Sequence, residues 1–184
     1  MRVKVLFLVV TTAVCLVAPP VAAPATSEEA PRSAALVQQL VAAMETLRLD
    51  AIAAPDPQTP GRVVAALSYP GVQLLVMSAE HPSLPYLKGQ IAKREYREVY
   101  EELHRGVPAS RLFFHDMGCD GLGQGDSVDI FYEGPTQRTL FDGNWIAQSL
   151  TEAAYADKLK DAEAKYVHAL TVLLDAARRR MTNP

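Results

Sequence analysis

The chain has 184 residues, with 18 basic and 21 acidic side chains and a formal net charge of −3. Its length suits one domain, and 49% apolar residues place it among globular chains rather than disordered ones. The charge balance offers no basic patch or stripe, so nucleic acid is excluded as an expected partner.

The first 25 residues read as a secretory signal peptide. Arg2 and Lys4 give a positive start, residues 5–18 carry no charge, Pro19-Pro20 break the run, and Val21-Ala22-Ala23-Pro24-Ala25 supplies small residues. Cleavage is expected after Ala25. The apolar run, about 14 residues, is short of the roughly 20 that a membrane span needs, so no span is expected after cleavage. Removing Arg2 and Lys4, and no acid, leaves 16 basic against 21 acidic residues and a net charge of −5. It also leaves Cys119 as the one cysteine, which rules out an intramolecular disulfide. The chain is expected in the periplasm or outside a bacterial cell.

Residues 26–32 are small, polar and acidic and read as a linker. A single domain is expected over residues 33–181. Ser33 is placed to cap a helix in which Leu36, Val37, Leu40, Val41, Met44 and Leu47 recur at helical spacing. A short strand follows at residues 49–54. Pro55-Asp56-Pro57-Gln58-Thr59-Pro60 then predicts an extended surface loop.

Residues 63–81 are the most apolar window outside the N-terminus and the helices. Two strand-length runs, 63–67 and 72–77, flank Tyr69-Pro70-Gly71. Proline presets φ at the second position of a tight turn and glycine accepts φ > 0 at the third. The window predicts a hairpin buried on both faces at the centre of the core.

Downstream, Leu84, Leu87 and Ile91 predict an internal helix, and residues 96–103 fit helix or strand. Strands are expected at 111–117, 128–133 and 138–141. Asp142-Gly143 is a two-residue hairpin signal that predicts a return strand at Asn144-Trp145-Ile146. Ser149-Leu150-Thr151-Glu152 matches capping-box spacing. A long helix follows, with Tyr155, Leu159, Ala162, Tyr166, Leu170, Leu173 and Ala177 on one stripe. The order shows no regular βαβ alternation and predicts an α+β fold: a mostly antiparallel, barrel-like sheet flanked by an N-terminal, an internal and a long C-terminal helix.

Candidate chemistry concentrates at residues 115–129, where His115, Asp116, Cys119, Asp120, Asp126 and Asp129 crowd around a glycine-rich loop. Two readings stand: a flexible solvated loop, or a cation site using Asp116, Asp120 and Asp126. Calcium takes several oxygen ligands on such turns, but EF-hand spacing fails, because Ser127 falls where a bidentate carboxylate belongs. Gly121-Leu122-Gly123-Gln124-Gly125 lacks the helix N-terminus that a phosphate-cradling loop requires. A His115–Cys119 zinc or nucleophile pair lacks further ligands and a lowered thiol pKa. His104 and His168 stand isolated. The aromatics, Phe113, Phe114, Phe131 and Trp145 among them, line either a core or a ligand pocket.

In element order, residues 49–141 resemble the FMN-binding split barrel of the pyridoxamine-phosphate-oxidase type. The parallel runs through Leu49-Asp50-Ala51-Ile52-Ala53, the proline loop, the hairpin, and a helix containing Leu87 and Lys88. The resemblance implies a flavin phosphate gripped from the end of the second hairpin strand and the next helix, by Ser78 and Lys88. The chain also resembles exported bacterial proteins of unassigned activity. Two functions are therefore expected in order: an exported, non-catalytic module that binds a small molecule or protein, or a split-barrel redox protein holding FMN or haem.

Overall fold

The computed structural model describes residues 32–80, 112–134 and 137–182. The signal peptide, Lys88, the internal helix and the ambiguous segment 96–103 lie outside the described residues.

Helix α1, Arg32–Thr46, buries Val37, Leu40, Ala43 and Met44 at the intervals of three and four that the sequence carries. Ser33 lies inside its first turn rather than before it. The Ser33 N–H donates to Glu163 Oε1 at 2.8 Å, a carboxylate 130 residues away, while Ser33 Oγ is buried with no hydrogen-bond partner among the described residues and caps nothing.

Among the described residues six strands follow: β1 Ala51–Pro55, β2 Arg62–Tyr69, β3 Gln73–Glu80, β4 Leu112–Met117, β5 Asp129–Glu133 and β6 Gln137–Phe141. Each pairs antiparallel with the next, giving the order β1-β2-β3-β4-β5-β6. The expected barrel is therefore corrected: the sheet is an open meander in which β1 and β6 do not meet. The α+β class and the antiparallel sheet stand as read.

The central hairpin forms as its composition dictates. The Val72 N–H donates to the Tyr69 carbonyl at 2.9 Å across Pro70-Gly71, and Gly71 takes a φ of 69°. Val64, Ala66, Leu74 and Val76 face the helices, while Val63, Ala65, Met77 and Ala79 form a second buried cluster on the opposite side. The proline loop before it is tighter than expected. Asp56 N–H pairs with the Arg62 carbonyl and Arg62 N–H with that of Thr59, so residues 56–61 make a compact hairpin connection. Pro55 closes an edge strand, where a missing N–H is tolerated.

On the helix-facing side, one cross-strand row runs Ile52, Ala66, Val76, Phe114, Phe131 and Thr139. Helix α2, Glu152–Thr182, lies over this face. Tyr166 sits 4.8 Å from Phe114, centroid to centroid, and Phe114 stacks on Phe131 at 5.1 Å. These aromatics are core, not the lining of a cleft. Burying each contributes roughly 1.5–3 kcal/mol, enough to set the register of α2 on the sheet.

The Asp142-Gly143 signal marks a bend, not a hairpin. Residues 146–148 form a 3-10 turn, and Gln148 reaches back to β6. Its Oε1 accepts from Leu140 N–H and its Nε2 donates to the Leu140 carbonyl, both at 2.8 Å. One side-chain amide supplies the donor and acceptor that a return strand would have offered. The cap of α2 also shifts. Thr151 Oγ1 accepts from Ala154 N–H at 3.1 Å, whereas Ser149, at φ 56°, ends the 3-10 turn.

Candidate functional site

Strand alternation places Asp116, near the end of β4, and Asp129, first in β5, on the helix-facing side. The β4–β5 register runs to His115 opposite Ile130, so the two aspartates occupy the next positions, at either root of the connecting loop. Both have 0% exposure. Asp120 projects from the loop and completes a group of three carboxylates, each with an oxygen within 4.8 Å of the others.

Neutral donors fill this group. Asp116 Oδ1 accepts from Asp120 N–H, and its Oδ2 from Gly121 N–H, both at 3.1 Å, and from the Tyr166 hydroxyl at 3.0 Å. Asp129 Oδ1 accepts from Met117 N–H at 2.8 Å and its Oδ2 from Gly123 N–H at 2.6 Å. Asp120 Oδ1 is buried with no hydrogen-bond partner among the described residues. The solvated-loop reading holds in part: Gly118, Gly123, Gly125, Asp126 and Val128 are exposed, while Cys119, Gly121 and Leu122 are buried as the loop folds inward around Asp116 and Asp129.

The energetics are finely set. Removing a carboxylate from water costs several kcal/mol, and a hydrogen bond to a charged group returns about 1.5–3 kcal/mol. Five donors suffice for one ionised carboxylate. Two charges within 5 Å repel by about 3 kcal/mol at an effective dielectric of 20. Burial accordingly raises the Asp116 carboxyl to about 6 and the Asp129 carboxyl to about 7, outweighing the hydrogen bonds that oppose the shift. Burial also raises the Asp120 carboxyl.

Of the cation set expected from sequence, Asp116 and Asp120 come together. Asp126 is exposed and stands outside the group, and Asp129 takes its place. Calcium loops leave carboxylate oxygens for the ion, six to eight ligands in all. All four carboxylate oxygens of Asp116 and Asp129 accept hydrogen bonds from backbone N–H groups or Tyr166, so the geometry describes a backbone clamp.

The remaining candidates separate. His115 lies on the other side of the sheet, with Nε2 2.5 Å from Gln73 Oε1, and so makes no pair with Cys119. Burial and the Asp116 charge push the Cys119 thiol up to about 11, the opposite of nucleophile activation. His168, read as isolated, faces Asp56 with Nε2 3.1 Å from both carboxylate oxygens. Ser78 is 4% exposed inside β3. Sequence reasoning placed Asp129 in the candidate cluster but left it out of the carboxylate set, and it missed Tyr166. The i−2 alternation from Phe131 to Asp129 and the helical stripe carried both signals, but each reads alone as strand or core.

No helix among the described residues is long and apolar enough to cross a membrane. Comparisons with protein-family models, curated proteins and solved structures find no match. The fold and site define an open, six-stranded antiparallel α+β domain with a carboxylate-clamped loop at one end of its sheet.

Proposed function

We propose that the chain is an exported, non-catalytic module that binds a small molecule or a protein. One observation carries this reading. The chemically capable side chains of the richest cluster, Asp116, Asp129 and Tyr166, are spent on one another and on loop N–H groups. They hold a shape rather than face a substrate. A buried thiol held at about 11 fits the same role. The open sheet lends no support to the flavin or haem alternative, which rests on Ser78 and Lys88.

Two measurements test this. N-terminal sequencing of protein recovered from the periplasm or medium is expected to begin at Thr26, and retention of Met1 would remove the export claim. Purified protein is expected to be colourless and to gain no thermal stability from FMN or haem. A flavin or haem spectrum abolished by Ser78→Ala or Lys88→Ala would replace this reading with the redox one.

A further inference from the structure

The loop between β4 and β5 depends on carboxyl oxygens for its shape. Its N–H groups at Asp120, Gly121 and Gly123 aim at Asp116 or Asp129. It carries Cys119 and Leu122 inward, at 2% and 1% exposure. Cys119 itself is held at a left-handed φ of 58°, a conformation that a non-glycine residue keeps only when its surroundings impose it.

We propose that this loop is a proton-held latch: the Asp116–Asp129 pair keeps it closed over Cys119 and Leu122 while the pair holds a proton, and release of that proton to solvent lets it open. The geometry supplies the reasons. The two carboxyls and Asp120 crowd within 4.8 Å. The five donors that reach the pair are four backbone N–H groups and one phenol, none of them charged. The facing groups are Asp120 and Cys119 from the loop and Tyr166 and Tyr155 from α2, all neutral or acidic. From α1, the neutral Gln38 amide donates to the Cys119 carbonyl at 2.6 Å. A second negative charge here meets repulsion and, among the described residues, no counter-charge. The raised Asp116 and Asp129 values, about 6 and about 7, put the change within the ordinary range of bacterial surroundings. The latch is independent of what the module binds.

Cys119 provides the readout. The full chain carrying Cys15→Ser is labelled with an uncharged thiol reagent from pH 5 to 8 in the presence of EDTA. The native rate is divided by the rate in urea at the same pH, which cancels thiol ionisation. The ratio is expected to rise about tenfold or more across the range. Asp129→Asn should flatten the rise. Asp120→Asn, a change at the partly exposed rim of the group, removes a charge that raises both values and should make the rise smaller and end it at lower pH. A ratio constant within about twofold in the parent chain overturns the proposal, as does a rise that both variants leave untouched. Loss of far-UV helical signal in step with labelling also overturns it, because the whole fold would then be opening.

Discussion

Tyr166 donates its hydroxyl to Asp116 Oδ2 at 3.0 Å, and neither residue has any exposed surface. The bond joins the middle of the long helix to the end of β4. It also sits beside the Tyr166–Phe114 ring contact, so the same side chain packs the core and steadies the loop. Tyr166→Phe keeps the ring and removes the donor. It is expected to cost about 1–3 kcal/mol, read as a lower urea midpoint with an unchanged slope at pH 7. No change in midpoint would mean that the hydroxyl contributes nothing to Asp116.

Stability should fall as the solution becomes less acidic. Asp116 and Asp129 have folded values of about 6 and about 7 against an ordinary 3.8, so the folded state holds protons that the unfolded state releases. Their contribution is full below the ordinary 3.8 and is lost progressively as pH rises from there through those folded values. Asp56 acts the other way. Burial opposes its ionisation, but Gln58 N–H and His168 prevail and lower it, so its contribution is lost as pH falls through its depressed value. In urea titrations from pH 4 to 8 stability is expected to be highest at the acid end and to decline up to about pH 7, and Asp129→Asn should remove much of that decline. A maximum above pH 7 would contradict the raised values.

Gly121 has a φ of 96°, and a Cβ there would stand 2.8 Å from Ala34 N and 2.9 Å from Ser33 Oγ. Gly121→Ala therefore combines backbone strain with a collision against helix backbone, and a loss of about 2 kcal/mol or more is expected in thermal or urea unfolding. Gly61→Ala, where a Cβ meets nothing within 4 Å, is the control for positive φ alone.

Gln148 bonds both edge-facing groups of Leu140. Gln148→Ala should cost about 1 kcal/mol and leave the β6 edge free to pair with another chain. Size-exclusion chromatography at high concentration is expected to show association of the variant beyond that of the parent chain. Identical elution would mean that the amide does not guard the edge.

Calcium at millimolar concentration should leave the melting temperature unchanged, because only Asp120 keeps an unengaged carboxylate oxygen in the group. A rise reversed by chelator would restore the cation reading of the loop.

Periodicity and turn chemistry made most of the elements legible. The hairpin about Pro70-Gly71, the strands at 112–117, 129–133 and 137–141, and the long helix all follow from local signals. Where expectation failed, a distant group had substituted for a local one. Glu163 holds the first turn of α1 through the Ser33 N–H, and Gln148 serves β6 in place of a return strand. His168 meets Asp56 across 112 residues, a pairing that no spacing encodes.

The loop at residues 118–128 divides the two kinds of information most clearly. Its glycines and acids announce a turn with carboxylates at its roots, because those residue types are local by nature. Whether the acids face water, a cation or the protein's own N–H groups depends on which side of the sheet the helices cover. That side also decides that Asp129 joins the cluster while Asp126 stays in solvent. Desolvation and hydrogen bonding act through space, so the sequence determined which groups were available, and only the packing of α2 against the sheet decided what they hold.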